Sequence, residues 1–124
     1  MSRTERVFDA SAALAILFGE PGAERASELL PADISAVNAA EVLAKLVQKG
    51  TPHAAAIAAL EALSLTIVPF GADECALSAQ FVHPQLSLGD RSCLATAHKE
   101  RAAAVTADRT WPTLATKVKI ALIR

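Results

Sequence analysis

A chain of 124 residues, 52% of them hydrophobic and 20% charged, is long enough to bury one core and too apolar to be disordered. The formal net charge of −1 excludes a strongly basic protein that scans nucleic acid by charge alone. We predict a single globular domain over residues 1–124 that needs no metal or disulfide to fold.

The cysteines and the apolar runs favour a cytoplasmic protein. Cys75 and Cys93 are the only cysteines and lie in alanine-rich helical patterns, which indicates two small buried side chains rather than a disulfide. The apolar run 10–18 is about half the ~18 residues that span a bilayer. Glu5 and Asp9 stand where a signal peptide would be basic or apolar. We therefore expect neither export nor a membrane anchor.

Strands alternate with helices from the start of the chain. In the first half, the patterns predict strands over residues 6–9 and 33–35 and helices over 11–18, 22–30, 35–50 and 52–63. The strand at 6–9 (RVFD) is short, apolar and ends at an acid, which is typical of a buried strand with a functional end. The helix at 35–50 is among the clearest, with an apolar face assigned to Val37, Leu43, Leu46 and Val47.

The second half repeats this alternation. A strand is predicted at 66–69 and a helix at 72–82, and the stretch 86–111 then provides a helix from near Leu88, a strand ending at Thr106 and a turn at Asp108. Residues 117–123 (KVKIALI) predict a last strand at the sheet edge, where lysines discourage pairing with another chain. The alternation predicts a three-layer α/β/α sandwich around a mainly parallel sheet of about five strands, with ligands at the strands' carboxyl ends.

Four acids are expected at that edge: Asp9, Glu41, Asp90 and Asp108. Each also has a structural interpretation. Asp9 can cap the helix that follows it, and Asp108 can close its own turn with help from Thr106. Glu41 stands three residues after Asn38 and four before Lys45, and Asp90 three after Ser87, which are the spacings of capping boxes and of a surface ion pair.

The joint pattern points to a metal, because a cap needs only a polar residue whereas here every element expected at the edge brings a carboxylate. Clustered carboxylates raise one another's pKa unless a cation lies among them, and oxygen ligands favour Mg²⁺ or Mn²⁺. Asp9 is the first predicted ligand, with Asp90 or Asp108 as the second, and Glu41 is expected to hold a second metal or orient water. Such a site suits phosphodiester hydrolysis. With these four acids set apart, 12 Lys and Arg face 9 acids, a balance compatible with an RNA partner.

In order and spacing, the segments VFDASAALA, NAAEVLAKL, SLGDRSCLATA and TADRTW resemble the PIN-domain ribonucleases, in particular the VapC-type toxins of toxin-antitoxin systems. The resemblance covers nearly the whole chain and implies a PIN-like fold. It also implies that the four acids, with Asp9, Asp90 and Asp108 as metal ligands, form the catalytic site, supported by Ser11, Asn38 and Thr106.

The resemblance further implies an Mg²⁺-dependent (or Mn²⁺-dependent) endoribonuclease that cuts structured RNA, such as tRNA or ribosomal RNA, and leaves a 5′-phosphate. It implies a homodimer and a VapB-type antitoxin whose C-terminal segment fills the active-site groove. An antitoxin arginine among the acids would neutralise them.

Several alternatives remain open at this stage. Arg91 is either a phosphate contact or a surface arginine, and Trp111 is expected to pack rather than border the site. The three histidines match no catalytic constellation. The competing function is a non-catalytic α/β interaction module whose acids are helix caps. DNA cleavage is a nearer rival, because metal-assisted hydrolysis does not need a 2′-hydroxyl, whereas receiver and haloacid-dehalogenase patterns lack their required residues.

Overall fold

A computed structural model describes residues 5–115 and 117–124 of the chain. Within these ranges the strands are β1 Arg6–Phe8, β2 Ala32–Ser35, β3 Leu65–Val68, β4 Ala103–Thr106 and β5 Ile120–Leu122. The α-helices are α1 Ala10–Phe18, α2 Ala23–Glu28, α3 Ala36–Gln48, α4 His53–Glu61, α5 Ala72–Ser78, α6 Leu88–Glu100 and α7 Trp111–Leu114. A 3₁₀ turn, Ala79–Phe81, follows α5.

The five strands form one sheet in the order β3-β2-β1-β4-β5. Every neighbouring pair is parallel, so the strands begin together at one edge, here called the amino edge, and end together at the other, the carboxyl edge. The predicted α/β/α sandwich with five strands is confirmed, and the sheet is wholly parallel.

The core lies in two clusters, one on each face of the sheet. Val7 and Phe8 are adjacent in β1 and both fully buried, but they belong to different clusters, because successive strand residues point to opposite faces. Phe8 and Ile34 pack with α1 and α3 on one face. Leu94 and Trp111 fill the other face.

Some predicted core positions are wrong. The buried face of α3 comprises Asn38, Ala39, Val42 and Leu46, whereas Val47 is 46% exposed. Leu46 is buried as predicted and Leu43 packs against the core, so the predicted face overlaps the packed side and is wrong at Val47. Cys93 is buried as predicted, but Cys75 is exposed, and both thiols are free.

The last strand is shorter than predicted, although β5 does lie at the sheet edge. Lys117 and Lys119 precede it and lie at the amino edge, where the Lys119 carbonyl accepts the amide of Ala104 at the start of β4. Among the described residues, no helix combines the length and apolar character that crossing a membrane requires.

Candidate active site at the carboxyl edge

Asp9 is held rigidly where β1 ends. It is 5% exposed and forms the N-cap of α1, because its Oδ1 accepts the amide of Ala12 at 2.9 Å. The same oxygen accepts the hydroxyl of Ser11 at 2.7 Å, and Oδ2 accepts the hydroxyl of Thr106 at 2.6 Å. Three donors therefore fix both carboxylate oxygens.

The two hydroxyls that bind Asp9 are themselves fixed by the turn that follows β4. Ser11 Oγ accepts the amide of Ala107 at 2.9 Å, and Thr106 Oγ1 accepts the amide of Asp108 at 3.1 Å. Each hydroxyl thus donates its proton to Asp9 and accepts a backbone amide through a lone pair. The network joins the carboxyl ends of β1 and β4, and it brings Ser11 and Thr106, two of the predicted supporting residues, into contact with Asp9.

The electrostatic surroundings of Asp9 disfavour its charge. The pKa of Asp9 is raised from 3.8 to about 6, mainly by burial and to a smaller extent by the charge of Asp90, against the lowering effect of the hydrogen bonds from Thr106, Ser11 and Ala12. A positive charge placed near Asp9 would therefore stabilise its ionised form.

Asp90 reaches the same edge through the first turn of α6. Ser87 is the N-cap of that helix, and the two residues form the capping box predicted from their spacing: Asp90 donates its amide to Ser87 Oγ at 3.1 Å, and its Oδ2 accepts the Ser87 amide at 2.9 Å. Strands and helices alternate, so α6 runs back toward the amino edge and its N-terminus lies at the carboxyl edge. Asp90 is partly exposed.

Glu41 from α3 packs directly against the residue before Asp90. A Cβ added to Gly89 would lie only 2.3 Å from Glu41 Oε1 and 2.6 Å from Oε2. Asn38 connects the two elements, because its Nδ2 donates both to Glu41 Oε1 at 2.9 Å and to the Gly89 carbonyl at 3.0 Å. The carboxylate of Glu41 is therefore oriented toward the start of α6.

Glu41 is not part of the predicted capping box, because Ser35 caps α3 and its Oγ accepts the amide of Val37. Nor does Glu41 pair with Lys45: no ion pair joins these two described residues. Asn38 is 1% exposed, and its Oδ1 has no hydrogen-bond partner among the described groups. Burying an amide oxygen without a hydrogen bond costs folding free energy. The position of Asn38 is therefore explained by the two hydrogen bonds that its Nδ2 donates.

The buried thiol of Cys93 lies close enough to three of the predicted acids to be affected by their charges. Cys93 lies one turn along α6 from Asp90 and is fully buried. Its pKa is raised well above 9.0, first by burial and then by the charges of Asp9, Asp90 and Glu41. These three carboxylates thus act on one point behind the carboxyl edge.

Asp108 is placed differently. Its Oδ1 accepts the amide of Thr110 at 2.9 Å and the Thr110 hydroxyl at 2.7 Å, the local turn that the structural interpretation predicts. Its backbone is tied to the Asp9 network through Thr106, whereas Oδ1 serves the turn. Since Oδ1 of Asp108 already accepts two hydrogen bonds from Thr110, Oδ2 is the oxygen that remains for a ligand.

Across residues 5–115 and 117–124, no three carboxylate, imidazole or thiol groups converge as a ready-made metal cage. Mg²⁺ does not require one, because it commonly keeps several waters and takes only one or two protein carboxylates. The donor set suits such an ion: it offers oxygens alone, and the pKa of Asp9 is raised by burial and by Asp90. The oxygen donors that Asp9 and Asp90 offer are therefore of the kind that a hard divalent cation takes.

Other predicted residues are resolved as follows. Trp111 is fully buried and packs, as expected. Arg91 is partly exposed one residue after Asp90, with its Nε 3.4 Å from the Ser87 carbonyl. The role of Gly89 was missed. A glycine in the first turn of a helix is an unfavourable helix former, and that is the signal by which it could have been found.

Comparisons with known proteins identify the family of the chain and agree with its fold. The PIN domain family model matches residues 6–117, whereas no curated protein sequence is significantly similar to the chain. The fold resembles a toxin-antitoxin complex from Klebsiella pneumoniae (TM-score 0.74, 20% identity, covering 96% of this chain and 98% of that one). It also resembles VapBC-1 from nontypeable Haemophilus influenzae (0.74, 18%, 95% and 97%) and promoter-DNA-bound VapBC2 from Rickettsia felis (0.72, 17%, 94% and 96%). With the model match spanning β1 through the segment that precedes β5, the chain belongs to the PIN domain family.

Proposed function

We propose that this chain is a VapC-type toxin: an Mg²⁺- or Mn²⁺-dependent endoribonuclease that hydrolyses phosphodiester bonds of structured RNA, such as tRNA or ribosomal RNA. The observation that carries the proposal is the buried carboxylate of Asp9, which two hydroxyls hold in place. Burial and the charge of Asp90 raise the pKa of this carboxylate. Family membership and the neighbouring VapBC folds support it.

In this proposal, Asp9 and Asp90 hold the metal, and Asp108 contributes through Oδ2. When bound, a divalent cation lowers the pKa of an attacking water and stabilises charge on the leaving oxygen. Ser11 and Thr106 keep the Asp9 oxygens in one orientation, because each hydroxyl is itself fixed by a backbone amide. A site positioned before substrate arrives needs little reorganisation during the reaction.

Glu41 is the proposed group that orients the attacking water, and Asn38 is its positioning residue. The hydrogen bond from Asn38 Nδ2 restrains an otherwise exposed side chain, whose charge stands next to the start of α6. Arg91, one residue beyond Asp90, is the proposed phosphate contact, since its planar guanidinium matches two phosphate oxygens.

The partners follow from the same proposal. A VapB-type antitoxin would inhibit the chain by covering the carboxyl edge, and a basic side chain placed there would be stabilised by the negative charges of Asp9 and Asp90. We also propose a homodimer that acts in the cytoplasm.

The test is a cleavage assay on matched RNA and DNA hairpins with Mg²⁺, Mn²⁺ or EDTA. We expect the RNA to be cut only with metal. Asp9→Asn and Asp90→Asn should lower the rate by at least about 100-fold. Asp33→Asn is the matched control, since Asp33 lies within β2 rather than at the carboxyl edge, and it should cut normally. DNA cleavage alone would redirect the proposal to a deoxyribonuclease.

A second candidate function is a non-catalytic interaction module. It is favoured by one observation: Asp9, Asp90 and Asp108 each accept a nearby backbone amide and so act as local caps. Under this alternative the hairpins stay intact with either metal, and the two substitutions change only stability.

A further inference from the structure

A large groove lies at the amino edge, opposite the acids. Its volume is about 1030 Å³. It is bordered by residues at or just before the starts of β1, β4 and β5 and by parts of α2, α5 and α6. Six of the chain's 12 Lys and Arg residues line it, namely Arg6, Arg25, Lys99, Arg101, Lys117 and Lys119.

The cations of this groove are poorly balanced by acids. Among the residues that the structure describes, Glu5 is the one carboxylate that lines the groove. Lys99 is paired with Glu74 and Asp73, but Arg25, Arg101 and Lys119 form no ion pair with any residue in the described part of the chain. Half of the positive charge is thus gathered on one edge of a protein whose net charge is −1.

We propose that this amino-edge groove binds the phosphate backbone of the RNA substrate, away from the bond that is cut. This inference rests on the proposed ribonuclease function and adds a second contact to it. The described lining residues include no Phe or Trp, and the ring of His98 is already packed edge-on against Phe81, so recognition is of phosphates rather than of sequence. Arginine forks and lysines suit phosphate oxygens.

The position of the groove predicts which RNA benefits from it. Strands of three or four residues separate the two edges, which corresponds to roughly 10–13 Å at ~3.3 Å per residue. The groove and the acids lie beyond opposite ends of these strands. A very short oligonucleotide at the acids cannot reach the groove. A folded RNA that extends over the domain can, so the groove favours structured RNA over short fragments.

The test compares Lys119→Gln with Lys49→Gln, a matched exposed lysine on the end of α3 that does not line the groove. Binding to a fluorescent RNA hairpin is measured in the cleavage-inactive Asp9→Asn background over a salt series. Each lost phosphate contact lowers the slope of log affinity against log salt by about 0.7–0.9. We expect that loss for Lys119→Gln, roughly 1.5 for Arg25→Gln/Lys119→Gln, and no change for Lys49→Gln.

Cleavage in the wild-type background separates this inference from the function it rests on. Lys119→Gln should slow cleavage of the hairpin but leave a tetranucleotide cut at the wild-type rate. Equal hairpin affinity and salt slope for Lys119→Gln and Lys49→Gln would overturn the groove. Binding of polyglutamate, a model of an acidic protein, is measured in parallel. The groove proposal would also be overturned if Lys119→Gln lost affinity for polyglutamate but not for RNA, because that result would indicate an acidic protein partner. If the wild-type chain cuts no RNA, the proposed function fails, and the binding comparison still decides the groove.

Discussion

Replacing Gly89 by alanine should disable the site without harming the fold. Its Cβ would lie 2.3 Å from Glu41 Oε1, whereas ordinary contact begins at 3.4 Å, so the carboxylate must retreat by about 1 Å. A misplacement of that size can cost about 100-fold in rate. Because the Glu41 side chain is exposed and can swing, and because alanine exceeds glycine in helix propensity by up to ~1 kcal/mol, the melting temperature should stay level or rise.

The assay is a double-mutant cycle on RNA hairpin cleavage. We expect Gly89→Ala to cut about 10- to 100-fold more slowly than the wild type, and to have no further effect in a Glu41→Ala background. Unchanged cleavage by Gly89→Ala would refute the close packing of Glu41 on α6. An equal loss in both backgrounds would show that Gly89 acts through Asp90 instead.

Three further predictions concern titration and stability. The folded-state pKa of Asp9 is raised above its ordinary value, so Asp9 destabilises the metal-free fold as pH rises from about 4 through 6. In urea unfolding with EDTA, the free energy of unfolding of Asp9→Asn should gain roughly 2 kcal/mol on that of the wild type between pH 4.5 and 7.5. Parallel pH profiles of the two proteins would contradict this. Lys99 and the Gly71 amide lower the pKa of Glu74, so its contribution to stability is present above pH 4.5 and is lost as acid protonates the carboxylate. Glu74→Gln should cost about 1 kcal/mol at pH 7, the difference from the wild type should shrink as the pH falls, and exposed Glu61→Gln should cost nothing. A thiol reagent should modify Cys75 alone in the folded chain and Cys93 only after unfolding, whereas two fast-reacting thiols would contradict the burial of Cys93.

Local signals predicted most of the fold, because they act through the backbone. Gly19 adopts a left-handed conformation and ends α1, and Ser87 with Asp90 forms the box that starts α6. Which apolar side chains are buried depends on tertiary packing, and the sequence pattern did not predict it at every position. Phe18 ends the apolar run 10–18, yet it stands at the end of α1 and is 38% exposed, because the core side of that helix is filled by alanines.

The candidate site was predictable in composition but not in detail. Asp9, Ser11 and Thr106 meet because parallel strands end at one edge, a rule that holds for any such sheet. The packing of Glu41 on Gly89 depends on how closely α3 approaches α6, which no local pattern reports. The amino-edge groove was likewise missed, since Arg25 and Lys119 are far apart in sequence and are joined only by the sheet order.

Carboxylates distant in sequence are proposed to bind one divalent cation at the carboxyl edge. Anomalous scattering from crystals of the chain grown with Mn²⁺ would locate that ion. We predict a peak about 2.1 Å from oxygens of both Asp9 and Asp90, absent in Asp9→Asn crystals. Ordered Asp9 and Asp90 side chains with no peak between them at saturating Mn²⁺ would contradict it.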